Sequence, residues 1–533
     1  MKPQSNLTVN YPSMPELTAR GMILGALITV IFTASNVYLG LKVGLTFSSS
    51  IPAAVISMAI LRMFKHSNIL ENNMVQTQAS AAGTLSAIIF ILPGLLMLGY
   101  WQGFPFWQTL LLCACGGSLG VLFTIPLRRA MVVNSDLPYP EGRAAAEILK
   151  VGSEIRKEEA NGEDTSKKET GMKDIVGGTA LAGLFSLCSN GFHVVSSEFS
   201  YWLSFGKAVT QIPLGFSTAL LGAGYLIGIA SGMAILVGTL LAWYVFVPYL
   251  TSVITPAEGQ SAAAFAKAIW AQKVRFIGAG CIGIAAVWTL IRLAKPVVGA
   301  TPWKQQVALI LGSIIGSFAI APVLNLLYQA YGFTGALPRA GMDPTQALAA
   351  PQATLMTTIA QGIFSASLDW NYILFGVGVG IAAIIIDLIL TKNTKSLALP
   401  PLAVGMGIYL PPTLEIPLVI GSVMGYLIHK SLKARAARRS PGHEEEDVEA
   451  CNHRGVLFAS GLIVGESLMG VIIALLIVVS VTSGGSENPL ALVGKDFQST
   501  ADILGLLCFI AMIAIFVRHI LITKFNPEDA ESK

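Results

Sequence analysis

The sequence predicts an all-α polytopic membrane protein, and three observations carry that prediction. Charged residues are only 12% of the 533, where a soluble domain carries roughly a quarter, so there is too little charge to clothe a water-facing surface. Mean hydropathy is +0.67, and the apolar residues gather into runs of about 20, the length of a membrane-crossing helix. The 53 glycines suit helices that must approach closely where no hydrophobic effect drives them together.

Taken in order, the apolar runs lie near 20–41, 47–64, 78–99, 106–127, 174–196, 214–229, 232–250, 274–294, 305–328, 371–390, 396–411, 415–431, 455–482 and 501–522. At one crossing per run of about 20 residues they predict about fourteen crossings. Two further segments, 69–80 and 351–368, are rich in Gln, Asn, Ser and Thr. They are too polar to face lipid and are expected as broken or re-entrant helices buried in protein.

Lys and Arg concentrate on the cytoplasmic side of membrane proteins. A cytoplasmic N-terminus leaves seven of the 34 outside: Lys42, Lys207, Lys267, Lys273, Arg275, Arg339 and Lys495. The polar segment Met1–Arg20 carries no cleavable signal pattern, and the first apolar run is long enough to stay in the membrane. These points predict an inner-membrane protein with both termini in the cytoplasm. Two charged stretches divide the chain. Residues 150–173 and 432–454 are too poor in apolar side chains to bury a core and are expected as solvated cytoplasmic loops. They separate membrane sections 1–149, 174–431 and 455–533.

Composition also excludes. A net charge of +4, held mostly in loops, gives no reason to invoke nucleic acid. The six cysteines form no CxxC pair, so neither a disulfide framework nor a metal site is expected, and no cofactor is implied.

Internal repetition is the strongest organisational signal. Residues 219–240 and 402–423 share a skeleton in which Gly222, Gly224 and Gly238 fall on Gly405, Gly407 and Gly421. Tyr38-Leu39 followed by Ile51-Pro52 echoes Tyr409-Leu410 followed by Ile416-Pro417, and 74–85 loosely matches 354–365. In the expected topology the middle hairpin runs opposite to the others. Inverted repeats with interrupted helices point to a transporter's midplane site; likeness of glycine-rich hairpins by composition alone is the plainer alternative.

Four pieces of the chain resemble the oligopeptide transporter (OPT) family. They are Glu71-Asn72-Asn73-Met74-Val75-Gln76-Thr77 with the small residues after it, Leu137-Pro138-Tyr139-Pro140-Glu141-Gly142, Phe216 to Tyr225, and Gly461-Leu462-Ile463 through Gly465-Glu466. The resemblance implies a proton-coupled importer of short peptides or, as in the yellow-stripe-like branch, of metal chelates. The Asn-Pro-Gly motif of the fungal branch is not evident, Leu92-Pro93-Gly94 being the nearest piece. The chain therefore looks like the short bacterial branch, whose solute is not inherited from the characterised ones.

Candidate residues follow from where polarity meets the bilayer, since ionisable groups there are costly and functional by default. Glu71, Asn72, Asn73, Gln76 and Gln78 are candidates for solute binding, with bracing of a broken helix as the alternative. Gln361, in the second polar segment, joins them. Tyr38, Tyr225 and Tyr409 occupy similar repeat positions, as shared site residues or as interface anchors. Glu466 is the clearest mid-membrane acid and a proton-coupling candidate, with interhelical hydrogen bonding as its alternative. Asp369 is a second one. Pro138, Tyr139, Pro140, Glu141 and Gly142 form either a cytoplasmic gate or a rigid turn with a capping acid. The expected partners are a small peptide or chelate, protons and the lipid bilayer, with a homodimer admitted but assigned no residues.

A membrane enzyme is the competing class, either an intramembrane protease or a lipid-modifying transferase. It requires a nucleophile–base pair or ligands at fixed spacing. HExxH does not occur, and the one GxSxG string, Gly116-Gly117-Ser118-Leu119-Gly120, lies within the apolar run 106–127 with no histidine in that run. A channel would favour a repeated filter, whereas inverted, broken repeats fit alternating access. No Walker A pattern is present, so no ATP-driven step is expected.

Overall fold

The computed structural model describes most of residues 15–521. It leaves aside 44–48, 129–141, 150–165, 294–302, 338–349, most of 351–369, 394–397 and 440–443, with isolated positions elsewhere. Among the described residues seven helices are long and apolar enough to cross a membrane: Ile69–Met97, Phe106–Ile125, Ile229–Val253, Trp303–Gln329, Trp370–Asn393, Pro412–Ala437 and Gln498–Leu521. Shorter apolar helices lie between them, so the chain is a mostly helical polytopic membrane protein.

The helices fall into two groups. The first comprises α1 (Ala19–Val43), α2 (Ser50–Leu61), α3 (Ile69–Thr84), α4 (Ser86–Ile89), α5 (Leu92–Met97) and α6 (Phe106–Arg128). The polar segment expected to be broken within 69–80 is instead one continuous helix, α3. The interruptions come later, at Leu85 and at Phe90–Ile91. Three of the polar residues of α3, Glu71, Asn72 and Gln78, are buried, which a helix tolerates when neighbours supply partners.

The second group begins with α7 (Ser166–Ser186), ending in a π turn at Leu187–Gly191. Helix α7 reaches back into the stretch expected as a charged loop, because Lys-Lys-Glu-Thr is built of helix-compatible residues. A two-stranded antiparallel hairpin follows, β1 (Glu198–Phe205) and β2 (Ala208–Gly215), paired from Glu198↔Gly215 to Phe205↔Ala208. Its two-residue turn places Gly206 at φ 63°, the backbone that favours glycine in such a turn. This hairpin departs from the all-α expectation.

Next come α8 (Thr218–Ile227) and α9 (Ile229–Leu240), joined by Gly228 at φ 87°. Ten residues of α8 cannot cross a bilayer, so the run 214–229 is not a full span by itself. Helix α9 runs on through a π turn at Leu241–Phe246 into α10 (Val247–Val253). Then follow α11 (Ala262–Ile269), α12 (Arg275–Leu293) and α13 (Trp303–Tyr331). Helix α13 returns to the first group, packing on α1, α3 and α6. The last helices are α14 (Trp370–Asn393), α15 (Pro401–Tyr409), α16 (Pro412–Arg439), α17 (Glu444–Thr482) and α18 (Gln498–Leu521). Both α16 and α17 extend into 432–454, leaving only a short link of the expected loop.

Glycine approaches show how the second group is assembled. A Cβ on Gly407 of α15 would stand 2.2 Å from the Ile235 carbonyl oxygen and 2.9 Å from Thr239 N on α9; one on Gly421 of α16 would stand 2.1 Å from the Leu221 oxygen and 2.9 Å from Tyr225 N on α8. Gly238 and Gly224 meet the Val404 and Leu418 oxygens, each at 2.2 Å. Adding the 183-residue offset of the sequence repeat carries each α9 contact partner into its α16 counterpart. The outer pairs α7–α17 and α12–α14 repeat the pattern, with Gly178 against Phe458 O and Gly376 against Ile277 O.

Exchanging α7, α8, α9 and α12 for α14, α15, α16 and α17 thus maps the contacts onto themselves, as a two-fold relation does. The central pair α9 and α16 runs antiparallel, since Gly232 meets Ser422 and Thr239 meets Glu415. An axis relating two antiparallel helices lies across them, in the plane of the membrane they span. These two repeats are inverted, as the expected topology had them.

Candidate functional site

Helix α3 is held by its first turn. Asn68 caps it, its side chain accepting from Glu71 N at 2.9 Å. The Glu71 carboxylate is fully buried and is taken by the Arg20 guanidinium, with Nε at 2.7 Å and Nη2 at 2.8 Å, and by the Thr18 hydroxyl. Asn72 accepts from Ser57 at 2.6 Å and donates to the Asn68 carbonyl at 3.0 Å. Both side chains therefore brace α3 against α1 and α2. Gln78 is buried with neither amide atom hydrogen-bonded, packed where a Cβ on Gly25 would stand 2.4 Å from its Oε1.

The opposite face of α3 differs. Asn73, Gln76, Thr77 and Ser80 are half-buried and lie at the i, i+3, i+4 and i+7 positions that share one face. Two cavities, of about 540 Å³ between α16 and α18 and about 530 Å³ beside Tyr100–Pro105, include no residue of 71–78 in their linings.

Glu466 lies on α17, and its two oxygens accept from Ser217 Oγ at 2.7 Å, Thr218 Oγ1 at 2.6 Å and Ala219 N at 2.8 Å. It therefore closes the N-terminus of α8, where free N–H groups and the helix dipole favour an acid. The repeat explains why: α15 starts with Pro400 and Pro401, the latter lacking an N–H to satisfy. At the place equivalent to Glu466 the chain has Ala285. The acid stands only where donors need it.

The tyrosines sit at equivalent helix ends but in different company. Tyr225 packs on Phe516 and donates its hydroxyl to Asn452 at 3.5 Å. Tyr409 carries the Arg275 guanidinium over its ring at 4.4 Å, and Trp270 flanks the same cation at 5.4 Å. Gly142 is exposed in a helical turn. Pro138, Tyr139, Pro140, Glu141, Gln361, Asp369 and the side chain of Tyr38 lie outside the described residues.

Two clusters escaped the sequence. Asp174 at the start of the buried part of α7 accepts from Arg454 Nε at 2.7 Å and Nη2 at 2.8 Å, with His519 Nε2 at 2.7 Å, joining α7, α17 and α18. Its repeat equivalent replaces the ion pair with Lys273 over the Tyr372 ring at 4.8 Å. The second is Glu415 of α16, fully buried, with Oε2 accepting from Thr239 Oγ1 at 2.5 Å and Oε1 unbonded. It begins the apolar run 415–431 and drew no notice there; aligning the repeats, which sets it on Gly232, would have singled it out. Among the described residues no group of three His, Cys, Asp or Glu is placed to hold a metal ion.

The family profile described as OPT oligopeptide transporter protein matches residues 16–298 and 296–477. The chain belongs to the OPT family. It is 43% identical to a putative oligopeptide transporter of Haemophilus influenzae across 91% of this chain and 100% of that protein. It is also 26% identical to the metal-nicotianamine transporter YSL2 of Oryza sativa subsp. japonica, over 45% of this chain and 40% of that protein. A putative oligopeptide transporter of Saccharomyces cerevisiae, YGL114W, is 28% identical over 29% of the chain and 24% of its own. OPT proteins are transporters rather than enzymes, which sets the membrane-enzyme alternative aside.

Proposed function

We propose that this OPT transporter imports a peptide-like or metal-chelate solute together with protons across the plasma membrane, with both termini in the cytoplasm. The observation that carries the solute part is the half-buried stripe of α3. Asn73 and Gln76 present amide donors and acceptors from a helix that continues into a membrane span, while the other face of α3 is spent on bracing. Amides at that spacing suit a peptide bond, which needs a donor and an acceptor, or a chelating carboxylate, which needs donors. The names of the relatives favour the same two solute classes. The inverted α9–α16 crossing supplies the geometry for alternating access around a fixed site.

The test is uptake by cells lacking the gene and by cells restored with it, over a panel of di- to hexapeptides and iron chelates. Purified protein in liposomes then follows internal pH as the accumulated solute is added. Import with internal acidification is expected; import with no proton movement removes the coupling, and product formation without transport removes the carrier. Asn73→Ala and Gln76→Ala are each expected to raise KM about tenfold, or about 1.4 kcal/mol, at normal expression. Loss of the protein from the membrane instead would return both residues to a structural role.

A further inference from the structure

We infer that Glu415 is a proton-binding carboxyl placed at one end of the α9–α16 crossing between the inverted halves, with Thr239 as its hydrogen-bond partner. The inference rests on the proton-coupled reading above and names a residue for it.

Four observations meet at this side chain. It is completely enclosed, on a helix long and apolar enough to cross a membrane. One oxygen accepts from Thr239 and the other has no partner. No ion pair reaches it among the described residues, and a buried carboxylate without a compensating cation is far costlier than the neutral acid. A proton on Oε1 removes that cost, and its departure restores it. One turn along α9 from Thr239, the indole N–H of buried Trp243 also lacks an acceptor, just where the helix passes into its π turn. Such bulges gather at functional sites. The orphaned donor lies on the continuation of α9, and the orphaned acceptor on α16, the helix that crosses it.

Symmetry shows that the fold does not require the acid. The equivalent of Glu415 is Gly232, and the equivalent of Thr239 is Ser422. At that end of the crossing the backbone closes directly on the hydroxyl, a Cβ on Gly232 falling 1.8 Å from Ser422 Oγ. The same crossing is built with an acid at one end and a glycine at the other.

The other titratable groups nearby are engaged elsewhere. α9 and β2 carry none. Tyr225 of α8 faces Asn452, Glu466 of α17 closes α8, and Arg275 stands over Tyr409 of α15. On α16 itself, His429 pairs with Asn452 and Lys430 lies about four turns beyond Glu415. On β1 Glu198 is exposed, and on α18 His519 faces Asp174.

The test is infrared titration of the full chain in lipid, following the carbonyl stretch of protonated carboxyls from acid to alkaline pH. The wild-type protein is expected to show a buried-acid band that disappears as pH rises, and Glu415→Gln is expected to lose that band alone. An identical titrating band in Glu415→Gln, or no titrating buried-acid band in the wild type, overturns the assignment. Should Glu415→Gln fail to fold, Thr239→Val gives the second reading. Loss of the donor is expected to shift the band's frequency, and an unshifted band overturns the assignment. Liposomes that acidify during solute import while the infrared result fails would sink Glu415 and keep proton coupling. Liposomes that never acidify would sink the coupling itself.

Discussion

The two groups of helices are joined by different chemistry. In the first, α3 is fastened to α1 and α2 by polar side chains: Glu71 to Arg20 and Thr18, Asn72 to Ser57, Thr29 to the Gln78 carbonyl at 3.3 Å. In the second, α8, α9, α15 and α16 meet through glycines that bring backbone onto backbone. Hydrogen bonds lock one arrangement, because a broken one leaves a buried polar group unpaired. Glycine seams carry no such penalty for sliding, and they need only that both surfaces stay small. Among the described residues the bundle is therefore firm where α3 is anchored and carries a single side-chain bond across the α9–α16 crossing itself, Thr239–Glu415. Its polar locks at Glu466 and Asp174 engage the flanking helix α17. That is the distribution alternating access needs.

The comparison breaks most sharply at Gly407. Replacing it with Leu drives a branched side chain into the Ile235 carbonyl, with Gly238 behind it, and neither is the flexible end of a side chain. A cost of about 3 kcal/mol or more is expected, at the upper end of overpacking, read as a collapse of the thermal unfolding midpoint in lipid. A stable Gly407→Leu protein would show that the crossing is loosely packed and that its glycines are incidental. Gly224→Leu, the symmetric substitution, is expected to match it, since a Cβ there would stand 2.2 Å from the Leu418 carbonyl oxygen.

Much of this division could be read before any coordinates. The glycine offset between 219–240 and 402–423 marked the repeat, because close packing leaves a periodic trace in sequence, while its inversion came from the expected order of crossings. Glu466 stood out as an acid inside an apolar run, and its partners at 217–219 were the only thing missing. Pairings across long separations leave no such trace. Arg20 and Glu71 are 51 residues apart, and Asp174 and Arg454 are 280 apart, with nothing in either segment naming the other. The hairpin at 198–215 was legible in principle from Gly206-Lys207 between two apolar stretches, but it fell almost wholly between the runs 174–196 and 214–229, where no element was assigned. Glu415 was hidden by a boundary, since it begins the apolar run 415–431 and lies in the first turn of α16.

The finer comparison is between the two ends of the α9–α16 crossing. Gly232→Ala places a methyl 1.8 Å from Ser422 Oγ and 2.4 Å from its Cβ, so α9 and α16 must separate locally, at an expected cost of about 1–3 kcal/mol. Ser422→Ala by itself is expected to cost well under about 1 kcal/mol. Its hydroxyl donates only to the Val419 carbonyl of its own helix at 2.8 Å, a bond that competes with helix geometry more than it supports it. Combining the two removes the closest atom facing the new methyl, so the double variant should cost less than the sum of the singles, by an interaction energy of at least about 0.5 kcal/mol. Strict additivity in lipid-phase unfolding would mean that Gly232 and Ser422 do not press on each other. The mirrored placement of Glu415 and Thr239 would then lose its structural counterpart, and the acid would have to be explained without the symmetry.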